Sequence, residues 1–158
     1  DIGPLISEMH RSNIKRQISD ALTRGYHLIY KGDIPAACDA GNWLAPSLIL
    51  VDDESDPLFQ NESFGPVVVV HKVRDIDDAI RSNNGVSQGL MATLFSNSLK
   101  SREKFLELAK AGILRINPES LAITPDYAFG GWGESGLGPP EHGKWDAEFY
   151  SRPQTIYS

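Results

Sequence analysis

Along the first third of the chain, Met9, Ile14, Ile18, Ala21 and Leu22 recur at spacings that line one face of a helix, and Gly25 stands where such a helix would stop. Two short apolar runs follow, His27 to Tyr30 and Leu44 to Val51, with a polar loop holding Gly32, Pro35 and Gly41 between them. Runs of this length, bounded by turn residues, predict strands.

From Pro66 the rhythm sharpens. Val67 to Val73 reads as a strand, Ile76 to Arg81 as a short helix and Leu90 to Phe95 as a strand, which makes one β-α-β unit. A second follows: Ser98 to Ala111 carries Arg102, Phe105, Leu106 and Ala109 at helical spacing, Gly112 ends it, and Ile113 to Asn117 is the next strand. Parallel strands need crossover helices that cover the sheet, and this explains why Val67 to Val70 is apolar at every position. After Asn117 the pattern fades into a long loop, a glycine cluster from Gly130 to Gly138 and a tail, Ala147 to Ser158, that reads as an extended strand. The expected fold is α/β, a three-layer, mostly parallel sheet flanked by helices. No repeat or linker marks a second domain.

Composition narrows the functional classes. The 158 residues are 41% apolar and 23% charged, enough to bury one core, and the formal net charge of -6 argues against nucleic acid or an anionic membrane as partner. No apolar stretch approaches the roughly 20 residues of a membrane span, and no signal-peptide pattern opens the chain, so a cytoplasmic location is expected. The lone Cys38 excludes an internal disulfide, and His10, His27, His71 and His142 lie too far apart for a local metal motif.

Several motifs invite chemistry. Gly131-Trp132-Gly133-Glu134-Ser135-Gly136 fits G-x-G-x-x-G, but a loop precedes it and Pro139 and Pro140 obstruct a following helix, so a tight backbone turn against a neighbouring element fits better than a phosphate cradle. Ser135 lacks the strand and spacing of a nucleophile elbow, and Cys38 has no nearby base or cation to activate it. In Asn61-Glu62-Ser63-Phe64-Gly65-Pro66 a carboxylate and an aromatic ring stand two residues apart. On an extended backbone they would share one side, suiting ribose hydroxyls and a flat ring. A solvated Glu beside a core Phe reads equally well at this point.

Taken together, these segments resemble the aldehyde dehydrogenase superfamily. Glu62-x-Phe64-Gly65-Pro66 is similar to its E-x-F-G-P segment, and Phe129-Gly130-Gly131 followed by Ser135-Gly136-Leu137-Gly138 is similar to its P-F-G-G-x-x-x-S-G-x-G segment, with Ala128 in place of the proline. Ile2 to Ile6, Asn42 to Pro46, Gln88 to Leu90 and Ala111 to Asn117 agree in order, so the resemblance spans essentially the whole chain. It implies NAD or NADP as cofactor, with Glu62 on the nicotinamide ribose hydroxyls and Phe64 beside the nicotinamide. It also implies an aldehyde substrate, with Phe129 lining its pocket, and a specificity loop over Pro118 to Tyr127 that adds Tyr127 as a second substrate-side residue. The tail with Phe149, Tyr150, Thr155 and Ile156 resembles a strand through which subunits form homo-oligomers.

The implied reaction oxidises an aldehyde to a carboxylic acid through a cysteine thiohemiacetal. No residue here matches the nucleophilic cysteine, the general-base glutamate or the dinucleotide-binding turn of the cofactor domain, so all three are expected in sequence before Asp1. The chain by itself is then expected to be inactive, to bind NAD(P) weakly and to self-associate. A non-catalytic assembly module and an independent nucleotide-binding domain are the alternatives.

Overall fold

The computed structural model describes residues 2–38, 40–120 and 122–157, and the chain divides into two compact units, Asp1–Lys72 and Val73–Ser158. In the first unit, helix α1 (Glu8–Thr23) begins at Ser7, whose Oγ accepts from the His10 amide, and gives way at Gly25, which adopts φ 97°. Its inward face buries Ile14 and Ala21, while Met9 stays exposed. Strand β1 (His27–Lys31) runs antiparallel to β2 (Ser47–Leu50), and β2 pairs in parallel with β3 (Val67–Val70), Ser47 opposite Val67 and Leu50 opposite Val70.

The crossover between β2 and β3 carries a helix too short to show a period, α2 (Pro57–Gln60). Asp56 caps it by accepting from the Leu58 amide, and Pro57, which has no amide hydrogen to satisfy, fills the first turn. Asp56 is buried, and the Arg24 guanidinium meets it with two hydrogen bonds of 2.6 and 3.0 Å. Ala21, Ile49, Val51 and Leu58 form the core of this unit, with Ile18, Tyr26, Phe59, Val67 and Val69 packed around them.

The second unit contains α3 (Ile76–Asn84), β4 (Gln88–Gly89), β5 (Met91–Leu94), α4 (Leu99–Leu108), β6 (Ile113–Ile116), β7 (Trp132–Gly133), a 3-10 turn (Gly143–Trp145) and α5 (Asp146–Phe149). Asp75 caps α3 through the amides of Asp77 and Asp78, and Ser98 caps α4 through that of Ser101. Strands β5 and β6 pair in parallel across α4, Met91 opposite Ile113, as the apolar rhythm predicts. Their core is Ile80, Ala92, Phe105, Ala109 and Ala111.

The architecture is mixed α/β, with parallel ladders β2–β3 and β5–β6 and antiparallel ladders β1–β2 and β4–β7. Two details depart from the sequence reading. The rhythm joined Val67 to Val73 with Leu90 to Phe95 through α3, whereas the parallel partner of β3 is β2, reached through α2. The tail expected as a strand over 147–158 starts instead inside α5, and residues 151–157 follow without a ladder; Ser158 lies outside the described residues. Among the described residues no helix is long and apolar enough to cross a membrane.

Candidate functional site

Glu62 and Phe64 lie in the turn that leads into β3. Both are exposed, and the Phe64 ring-bearing residue keeps 72% of its surface open. The backbone is not extended there. Phe64 takes φ 51°, a left-handed conformation that costs a residue with a Cβ about 1–2 kcal/mol. The expected two-residue alternation of an extended segment is therefore broken at Phe64, and the two side chains reach solvent from a turn.

Helix α1 holds this turn by its side chains. His10 Nε2 lies 2.9 Å from the Phe64 carbonyl and must carry the hydrogen, since a carbonyl oxygen can only accept. Ser63 Oγ donates to Gln17 Oε1 at 2.9 Å. Gly65 packs so closely on Ile14 that a Cβ there would strike the Ile14 Cδ1 methyl. Among the described residues, nothing hydrogen-bonds the Glu62 carboxylate. His10 and Gln17 escape a sequence reading because they stand a full helix and a sheet away along the chain.

In the second unit Phe129 and Tyr127 face two different cavities. Phe129, with Leu90, Phe149 and the glycine loop, lines one of about 500 Å³. Its backbone exchanges hydrogen bonds of 2.8 and 3.0 Å with Glu141, and its ring stacks on His142 at 5.5 Å between centroids. His142 has φ 74°, and its Nδ1 is buried without a partner among the described residues. Glu141 also accepts from the Tyr150 hydroxyl at 2.8 Å, and that hydrogen bond to a carboxylate, with its negative charge, raises the Tyr150 pKa above 10.0. Tyr127, 75% exposed, lines a second cavity of about 450 Å³ between β6 and the loop after it, with Leu114, Ile123 and Trp145.

The glycine cluster is a backbone turn, as its flanks imply. Gly131 and Gly136 approach each other so closely that a Cβ on Gly136 would overlap the Gly131 carbonyl oxygen, and β7 within the cluster pairs with β4. No α-helix follows until α5, past both prolines, so the setting of a dinucleotide cradle is missing. The Ser135 hydroxyl accepts from the Gly89 amide at 3.1 Å, a structural duty. Cys38 sits in a loop where its amide closes a turn onto the Pro35 carbonyl. Among the described residues no three His, Cys, Asp or Glu side chains gather as they would around a metal.

The chain belongs to the aldehyde dehydrogenase family, whose model matches residues 1–156. It is 30% identical over 158 residues to the 2,5-dioxopentanoate dehydrogenase of Saccharolobus solfataricus, an alignment that takes in 99% of this chain and 33% of that protein. It is 33% identical over 138 residues to the NADP(+) succinate-semialdehyde dehydrogenase of Deinococcus radiodurans, covering 87% of this chain and 28% of that one. The crystal structure of betaine aldehyde dehydrogenase from Staphylococcus aureus in complex with NAD+ superposes with a TM-score of 0.82 at 30% identity, over 94% of this chain and 29% of that chain. The chain thus spans about a third of the length of the curated relatives it matches.

Proposed function

We propose that this chain is the C-terminal part of the catalytic domain of an NAD(P)-dependent aldehyde dehydrogenase, and that it positions cofactor and aldehyde for a nucleophile carried elsewhere in the complete protein. One observation carries the reading. An aromatic side chain is held open to solvent on a strained backbone, beside a carboxylate that has no protein partner among the described residues. Exposure and strain both cost stability, so the arrangement makes sense when a ligand covers it.

The groups present fit a nicotinamide riboside. The Glu62 carboxylate accepts from two vicinal hydroxyls, and the Phe64 face packs on a planar ring. When bound, NAD(P) supplies the hydride acceptor for aldehyde oxidation. Phe129, backed by His142, walls the aldehyde side; Tyr127, on the neighbouring cavity, contributes to its entrance. The tail, with Tyr150, Ile156 and Tyr157 exposed, serves assembly with further subunits. Alone, the chain orients reactants and performs no turnover, because orientation multiplies a rate that the nucleophile must first provide.

The test uses two variants of the full-length polypeptide. Phe64→Gly removes the ring and the strain together, so stability should hold or rise by about 1 kcal/mol while KM for NAD(P) climbs. Glu62→Gln removes charge-assisted hydrogen bonds worth about 1.5–3 kcal/mol, which corresponds to roughly a tenfold or greater rise in cofactor KM. Steady-state kinetics at the nicotinamide absorbance reads both. A cofactor KM unmoved by either change defeats the assignment of this turn.

A further inference from the structure

We propose that Arg115 is a specificity-positioning residue, a latch that fixes the loop after β6 and so sets the shape of the aldehyde entrance. The inference rests on the functional reading above and adds to it a residue that the sequence motifs leave unassigned.

Arg115 projects from β6, a strand paired along its length with β5, and is itself half-buried. Its guanidinium donates from Nη1 to the Ser120 carbonyl and from Nη2 to the Ala122 carbonyl, each at 2.9 Å. One rigid fork thereby holds two carbonyls of the loop. Arginine is suited to this, because its planar fork presents paired donors in fixed geometry, whereas lysine offers one point charge on a flexible stem. The Ala122 amide donates to Ser120 Oγ at 3.1 Å, closing the same stretch from within.

The other end of the loop is tied separately. The Gly143 amide donates to the Pro125 carbonyl at 2.9 Å, and Gly143 has φ 58° at a position where a Cβ would strike the Asp126 carbonyl oxygen. Among the described residues, the loop between 118 and 127 is therefore hung from two points, Arg115 and Gly143. Ile123 lies between the tied stretches and Tyr127 directly after them, and both line the second cavity with Leu114 and Trp145. Releasing Arg115 leaves the β5–β6 ladder in place and frees the loop wall, so the cavity loses its fixed width, while none of the hydrogen bonds that hold the turn bearing Glu62 and Phe64 is removed.

The latch predicts a split between substrates. In the full-length enzyme, Arg115→Met should raise KM for the aldehyde about tenfold, leave KM for NAD(P) unchanged, and flatten the selectivity between short-chain and bulky aromatic aldehydes. Arg115→Lys, which can hold one carbonyl but not both, should fall between. Limited proteolysis gives a readout independent of turnover: cleavage between residues 118 and 127 should accelerate in Arg115→Met, with the thermal midpoint nearly constant. Equal losses for every aldehyde with a lowered thermal midpoint, in both variants, would mean that Arg115 merely stabilises the fold and the latch is wrong. Unchanged selectivity with unchanged loop cleavage would also overturn it. A wild-type enzyme that oxidises no aldehyde while Arg115→Met still exposes the loop would overturn the functional reading and the specificity role together, leaving only a loop anchor.

Discussion

The two units hold their functional groups in opposite ways. In the first, the Glu62–Phe64 turn is pinned by side chains, with His10 and Gln17 reaching from α1 and Gly65 pressed on the Ile14 methyl. In the second, the Phe129 loop is held by backbone against backbone: a Cβ on Gly112 would overlap the Gly130 carbonyl, and Phe129 and Glu141 pair through their main chains. Side chains can swing aside and be exchanged. A peptide plane fixed by its neighbours on both sides cannot, so the second arrangement tolerates far less change.

Paired glycine substitutions give the sharpest test of that contrast. Gly112→Ala drives a methyl into a backbone carbonyl that has no rotamer to adopt, and a loss of about 3 kcal/mol or failure to fold is expected. Gly65→Ala meets only the end of the Ile14 side chain, which can rotate; because Ile14 is fully buried, about 1 kcal/mol should still be lost. Thermal unfolding followed by circular dichroism compares them directly. Equal losses would erase the distinction.

A smaller effect probes the side-chain-held turn. His10→Ala deletes one hydrogen bond to the Phe64 carbonyl on a half-exposed surface, so stability should change by less than about 1 kcal/mol. The strained Phe64 backbone then loses a restraint, and cofactor KM should rise a few-fold while aldehyde KM stays level. A matching rise in both would show that the turn is not an independent element.

What could be read from sequence follows the same division. The β5-α4-β6 unit was legible because Phe105 and Ala109 carry a helical period and Gly112 punctuates it. The β2-α2-β3 unit was not, since a four-residue helix set by Asp56 and Pro57 leaves no periodic trace. The start of the tail misled because Asp146 to Phe149 close a short helix, α5, where the aromatic and β-branched composition suggested an extended chain. At the site, Glu62 and Phe64 are exposed, and the left-handed Phe64 sits in a turn tied to α1 by the His10–Phe64 and Ser63–Gln17 hydrogen bonds, contacts made across long stretches of sequence. The stack of His142 on Phe129 and the fork of Arg115 likewise depend on where loops return, which no local pattern encodes.

The smallest effect sets the floor for side-chain ties. Asp78 on α3 accepts two hydrogen bonds from Arg74, and these, followed by the charges of Arg74 and Arg81, hold its carboxyl at about 2, below the ordinary 3.8. A carboxyl depressed in the folded state stabilises it at pH values above the ordinary 3.8, and that contribution drains away as pH falls from about 4 towards 2. Asp78→Asn should therefore lower the thermal midpoint slightly at pH 7, and most of the gap from the parent should be gone by about pH 2. Arg74 is largely exposed, so raising the salt concentration should shrink the gap as well. A gap undiminished at pH 2 would assign the stabilisation to packing of Asp78 instead of its charge.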